Sequence, residues 1–221
     1  MMMGLLDNET EFQLVLLKEK WESRDRLHVT IYADDQQSFE LWNSKIGLGS
    51  NRIHRYGANE NWWGPAGLEG PSGPCSEIHY DFGVKSGCGQ PIRRSDVGDG
   101  CHPNHECDRF VELWNIVFMQ YYQKQNGDIS ELPVPSVDTG MGLERATAIA
   151  QGLDSVYETD LFEPIISKAS HVSGKDYGLN EETNYSLRVI SEHSRSASFL
   201  IADGVVPSNE GRGYVLRRII R

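Results

Sequence analysis

Apolar positions change their period near residue 140. Before it, short stretches alternate or run continuously apolar. After it, apolar residues recur at helical spacing. Residues 27–32, Leu-His-Val-Thr-Ile-Tyr, alternate like a half-buried strand. Residues 52–56 predict a second strand and residues 77–82 a third. Residues 110–122 are nearly all apolar or aromatic, the pattern of a strand buried on both faces. Asn126-Gly127-Asp128 then marks a hairpin turn, with a return strand over residues 132–138. Pro133 and Pro135 confine part of that return to an edge or a loop.

Helical spacing predicts helices over residues 8–21 (Phe12, Val15, Leu16, Glu19), 35–45, 143–152, 160–173 and 186–202, and one opening at 211. Strands first and helices afterwards imply an α+β chain with a boundary near Gly152. The expected units are residues 1–152 and 153–221.

Two stretches escape both periods. Residues 57–74 are rich in Gly, Pro, Asn and Trp and read as a long ordered loop, since Trp62 and Trp63 argue against disorder. Residues 84–107 are polar and Gly-rich and hold Cys88, Cys101 and Cys107, as an insertion between strands would.

Apolar content of 38% is that of a globular protein, and no apolar run approaches the ~20 residues of a membrane span. No basic-then-apolar leader follows Met1, so the cytoplasm is the default location. A net charge of −11 argues against a general nucleic-acid coat but leaves room for a local basic face. Residues 211–221 carry Arg212, Arg217, Arg218 and Arg221 and no acid.

The chemistry concentrates in residues 135–145, Pro-Ser-Val-Asp-Thr-Gly-Met-Gly-Leu-Glu-Arg. An acid ends a strand, a Gly-x-Gly turn follows, and a helix opens on Glu-Arg. The glycines admit a flat ligand close to the backbone. Asp138 can pair with an ammonium, and Arg145 can meet a phosphate or stack on a purine. The same residues also fit a plain strand–turn–helix with Asp138 as helix cap.

This segment resembles motif 3 of class II aminoacyl-tRNA synthetases, in the form found in alanyl-tRNA synthetases. Three further segments resemble that family in the same order: Glu60-Asn61-Trp62-Trp63 through Ile78; residues 112–120; and residues 188–218, with Pro207-Ser208-Asn209 and Gly211-Arg212-Gly213. The resemblance implies an incomplete class II antiparallel sheet with flanking helices, then the start of a helical tRNA-recognition region. It implies ATP-dependent activation of L-alanine and transfer to tRNA(Ala), with Mg2+ on the phosphates. Asp138 would bind the α-amino group, Asn115 the carbonyl or carboxylate, and Trp63 would wall the side-chain pocket beside Val117 and Gly140. Gly142 and Arg145 would lie against ATP. Asn209, Arg212, Arg217 and Arg218 would meet the tRNA acceptor stem. One residue more than usual separates Trp63 from Gly70, so either tryptophan could line the pocket. Nothing resembles motifs 1 and 2, so the chain reads as a fragment, expected to make little adenylate by itself. A non-catalytic acceptor-stem binder is the rival reading.

The cysteines stand apart from the resemblance. Without a secretion signal, reduced thiols or metal ligands are expected rather than disulfides. Cys88, Cys101, His105 and Cys107 could supply four tetrahedral zinc ligands, although no C-x-x-C pair is present. A mobile surface loop explains the same residues without metal.

Overall fold

The computed structural model describes residues 24–92 and 100–221. The helix expected over residues 8–21 lies outside them. The chain divides into two compact units, residues 1–150 and 151–221.

The first unit is built on a six-stranded sheet: β1 (Leu27–Tyr32), β2 (Ile53–Tyr56), β3 (Trp62–Trp63), β4 (Gly70–Asp81), β5 (Phe110–Gln123) and β6 (Ile129–Met141). The order is β2-β1-β4-β5-β6, with β3 beside β4. Every pairing is antiparallel except β1 with β2, so the sheet is mixed rather than purely antiparallel. The long excursion between β1 and β2 holds helix α1 (Gln36–Glu40), which runs into a π-helical turn, Leu41–Lys45. Asp35 caps α1 by accepting from the Ser38 N–H at 2.9 Å.

Alternation decides the two faces of the sheet. Val29, Ile31, Ile78, Ile116 and Phe118 turn to one side. There they pack with Trp42 and Leu48 from the excursion and with Ile149 of helix α3 (Leu143–Gln151). His28, Thr30, Glu77, Asn115 and Asp138 take the other side. Burial on both faces of β5 is therefore confined to Ile116, Val117 and Phe118, a shorter span than its apolar run predicts.

The strand bounds also differ from the predicted ones. β4 starts at Gly70, seven residues early, because β5 is long enough to pair with it from Gly70↔Gln123 onward. Gly73 and Pro74 are admitted by a register shift between Ser72 and Cys75. A Cβ on Gly73 would come within 1.9 Å of the Phe118 carbonyl oxygen, so only glycine permits this approach. The expected loop 57–74 thus contains β3 and a short helix α2 (Ala58–Asn61). β6 is an edge strand of 13 residues. Its register jumps between Ser136 and Glu131, and both prolines fall in that irregularity, where the ladder needs no N–H.

The second unit is helical: α4 (Glu163–Ser173), α5 (Glu181–Ala202) and α6 (Gly211–Ile220). α5 begins five residues before the expected start. Asn180 accepts from the Thr183 N–H at 2.8 Å, and Glu181 and Glu182 follow in the first turn. Among the described residues, no helix is long and apolar enough to cross a membrane.

Candidate functional site

The polar sheet face gathers residues from four segments. Asn115 lies opposite Gly140, and Val117 opposite Asp138. Cross-strand partners share a face, as do residues two apart on one strand, so these four side-chain positions lie together. Asp138 is exposed, on an edge strand, while Val117 is buried. Helix α3 begins at Leu143, so Asp138 sits inside β6 and does not cap the helix. Among the described residues, a Cβ added to Gly140 would meet nothing within 4 Å.

On the same face lies Glu77, a buried carboxylate with no role expected from the sequence. Thr30 donates to its Oε2 at 3.1 Å and His79 Nε2 lies 3.2 Å from the same oxygen. Asn115 Nδ2 reaches Oε1 at 3.4 Å, and the Cys75 thiol stands 3.8 Å from it. Asn61 extends the network: its Nδ2 donates to Thr30 Oγ1 at 2.9 Å. Glu77 Oε1 takes the amide nitrogen of Asn115, which leaves the amide oxygen for another donor. Asn115 Oδ1 and Asn61 Oδ1 are both buried without a partner among the described residues. Unmet acceptors of this kind are uncommon and call for an explanation. Burial pushes the Cys75 thiol up to about 12, with Glu77 adding to the shift, which makes this cysteine a neutral packing group. Sequence placed Glu77 at the first position of the strand predicted over residues 77–82, whereas in the structure it lies inside β4.

Trp62 and Trp63 pair with Pro74 and Gly73. Both are half-buried. Trp62 stacks on Tyr121 at 5.5 Å between ring centres and meets Tyr32 edge-on. Gly142 donates its N–H to Leu113 O at 3.1 Å, prolonging the β5–β6 ladder to the start of α3. Arg145 donates to Glu112 O at 2.7 Å, which tethers its guanidinium while leaving the residue exposed.

In the second unit, Arg217 donates to the side-chain oxygen of Asn209, joining the Pro-Ser-Asn segment to α6. Arg212 and Arg218 are exposed on that helix. The insertion brings one ligand atom each of Cys88, Cys101, His105 and Cys107 within 4.8 Å of one another. All four cysteines are free, and Cys101 Sγ lies 3.5 Å from Cys107 Sγ.

Residues 9–221 match the model of the family described as tRNA synthetases class II (A). An alanine–tRNA ligase of Dehalococcoides mccartyi strain BAV1 is 52% identical over 197 residues, covering 89% of this chain and 22% of that protein. One from Thermotoga maritima is 50% identical over the same shares. One from Petrotoga mobilis is 41% identical over 228 residues, covering 100% of this chain and 25% of that protein. The chain spans about a fifth to a quarter of the length of these relatives. With nearly its whole length inside the family match, the chain belongs to the class II (A) tRNA synthetases.

Proposed function

We propose that this chain is the part of an alanine–tRNA ligase that grips L-alanine and one side of ATP, together with the start of its tRNA-recognition region. The observation that carries the reading is the shared face of Asn115, Val117, Asp138 and Gly140, set by the pairs Asn115↔Gly140 and Val117↔Asp138. On that face the Asp138 carboxylate meets the ammonium of alanine, a charge-assisted contact. Asn115 Oδ1, unpartnered among the described residues, accepts from the same ammonium, and the remaining amide N–H serves the carbonyl or carboxylate. Val117 and a tryptophan of β3, either Trp62 or Trp63, bound the methyl pocket. Excluding larger side chains needs only bulk, whereas rejecting smaller ones is hard, since one methylene is worth about 1–3 kcal/mol.

ATP fits the end of β6. A Cβ on Gly142 would press only on the flexible Arg145 chain, and the Arg145 guanidinium is held by Glu112 beside it. Gly142 lies under the nucleotide, and Arg145 stacks on its base or meets a phosphate. Mg2+ would supply charge neutralisation on the phosphates. Neither motif 1 nor motif 2 is recognisable in the chain, so by itself it makes little adenylate. Asn209, Arg212, Arg217 and Arg218 face the acceptor stem of tRNA(Ala) in the cytoplasm, arginine on phosphates and asparagine on a base edge.

The test is binding rather than turnover. The chain is titrated with a non-hydrolysable alanyl-adenylate mimic in which a sulfamate replaces the phosphate. Asp138→Asn is expected to weaken binding about tenfold or more, the scale of one charge-assisted hydrogen bond. Wild-type affinity in both Asp138→Asn and Asn115→Ala would overturn the reading. Binding of tRNA(Ala) with none of the mimic would support the non-catalytic acceptor-stem module instead.

A further inference from the structure

The insertion between β4 and β5 poses a problem that the ligase reading does not solve. It is too polar to order itself by burial: of its described residues, Cys88, Gly89, Gln90, Asn104 and Glu106 are exposed. Its buried positions include Cys101 and Pro103. A small apolar-poor segment of this kind needs a covalent or metal staple. Yet its three cysteines and one of its histidines converge on one point.

Local backbone geometry produces the convergence. Asn104 has a φ of 66°, the one positive φ among the described non-glycine residues. It turns the chain so that the His105 N–H bonds to His102 O at 3.0 Å and the Cys107 N–H to His105 O at 2.7 Å. Two successive tight turns thus bring Cys101, His105 and Cys107 to one side of a seven-residue loop. Cys88 comes from the other end of the insertion, after the short 3-10 turn Val84–Ser86. The Cys101 N–H bonds to Pro91 O at 2.9 Å, which draws the two ends together. This is how a site forms without a C-x-x-C pair.

We infer that Cys88, Cys101, His105 and Cys107 form a structural zinc site. Three lines of geometry and chemistry agree. The four ligand atoms all lie within 4.8 Å of one another. Zinc–sulfur bonds of ~2.3 Å at the tetrahedral angle place sulfurs ~3.8 Å apart, so the observed spread is that of one ion's first shell. The Cys101–Cys107 separation of 3.5 Å is far longer than the ~2.05 Å of a disulfide and close to that tetrahedral edge. His105 Nδ1 is buried without a hydrogen-bond partner among the described residues, and an unmet buried ring nitrogen calls for an explanation. Three thiolates and an imidazole are a soft set that selects zinc over Mg2+ or Ca2+.

Four protein ligands leave no open coordination position for water or substrate, so the role is structural rather than catalytic. The site closes the insertion into a loop, and two anchors tie that loop to the sheet. Arg109, two residues after Cys107, makes two hydrogen bonds to Asp81 at the end of β4, at 2.7 and 2.8 Å. Tyr56 at the end of β2 donates to Pro103 O and lies 2.7 Å from His102 Nδ1. His102 is thus held by the sheet, outside the ligand set.

The experiment begins with the unaltered chain, purified without chelator. Elemental analysis should find about one zinc per chain, the content of a single four-ligand site. Zinc-edge X-ray absorption should show three sulfurs at ~2.3 Å and one nitrogen at ~2.0–2.1 Å. Removing the metal should raise hydrogen exchange across the insertion while the central strands β4 and β5 stay protected. Cys107→Ser should lose the zinc, whereas His102→Gln and Cys75→Ser should keep it. Less than about 0.2 zinc per chain in the unaltered protein would overturn the inference. So would iron in place of zinc, a different ligand set in the absorption spectrum, or a Cys101–Cys107 disulfide in freshly purified protein. The metal content and the X-ray spectrum need no variant, so misfolding of Cys107→Ser would not spare the inference. None of these readouts depends on alanine or ATP, so this inference and the ligase reading can fail separately.

Discussion

Removing the guanidinium of Arg109 should destabilise the first unit more than any comparable change at an exposed ion pair. Arg109 and Asp81 are 6% and 8% exposed, and the two hydrogen bonds between them are 2.7 and 2.8 Å long. Burial pushes Asp81 up, but the hydrogen bonds from Arg109 and from the Gly83 N–H outweigh it and hold the carboxyl below its ordinary value. Breaking a buried pair from one side strands a charge and costs about 3–5 kcal/mol. In Arg109→Ala the Gly83 N–H, 2.7 Å from Asp81 Oδ1, still donates, which places the loss near the lower end, about 3 kcal/mol at pH 7. The sign with pH follows. Asp81 has a depressed folded-state pKa, so its contribution is present above the unfolded carboxylate value and lost as pH falls through the folded one. In the variant, burial acts with less opposition, the carboxyl rises, and the penalty shrinks on acidification. Urea unfolding followed by tryptophan fluorescence gives the midpoint and slope needed. Adding Asp81→Asn to Arg109→Ala should recover a large part of the loss, because no charge is then stranded. A loss below about 1 kcal/mol, typical of exposed pairs, would refute this account. So would a loss that Asp81→Asn leaves unchanged.

Two further outcomes follow from the sheet. Burial holds His28 down at about 4, opposed in part by Asp81, while its Nδ1 shares a hydrogen bond with His54 Nε2 at 3.0 Å. The unfolded chain binds that proton more readily, so stability should fall by about 3 kcal/mol as pH drops from about 6.5 to about 4. Acid titration of the unfolding midpoint checks this, and an equal slope in His28→Gln would count against it. Gly73→Ala should cost about 2 kcal/mol or more, because its Cβ meets the backbone of Phe118 at 1.9 Å and the strands must separate. Thermal unfolding with an unchanged midpoint would contradict that contact.

Elements whose signals were local came through with few changes. β1 was legible as a strand from alternation over six residues, but residues 27–31 are all buried, so both its faces are covered where the alternation predicted one. The helical second half followed from spacing, apart from the first turn of α5, where the Asn180 cap and two acids were stronger evidence than the apolar period. The hairpin after β5 was read from Asn-Gly, and Gly127 has the positive φ such a turn requires. Misplaced bounds came where pairing overrode composition. β4 and β6 extend through Gly and Pro residues because β5 offers a 14-residue template and the register slips where the prolines fall. The parallel pairing of β2 with β1 leaves no mark on either strand's own pattern.

For the candidate site, Asn115, Val117, Asp138, Gly140 and the Cys/His set could be named one by one from residue type, order and resemblance. That Glu77 organises the face around Asn115 could not, since Thr30 and Asn115 reach it from strands 47 and 38 positions away.

The order of strands and helices, the apolar face of each element, the turn glycines and the residues able to bear chemistry were therefore set by the chain's own pattern, since each depends on neighbours a few positions away. Strand bounds, sheet order, the burial of Glu77 and the gathering of Cys88 with a loop thirteen or more residues on were decided only by tertiary structure. Each depends on which distant segment is available to complete a hydrogen-bond ladder or share a face, and that choice exists only once the chain has folded back on itself.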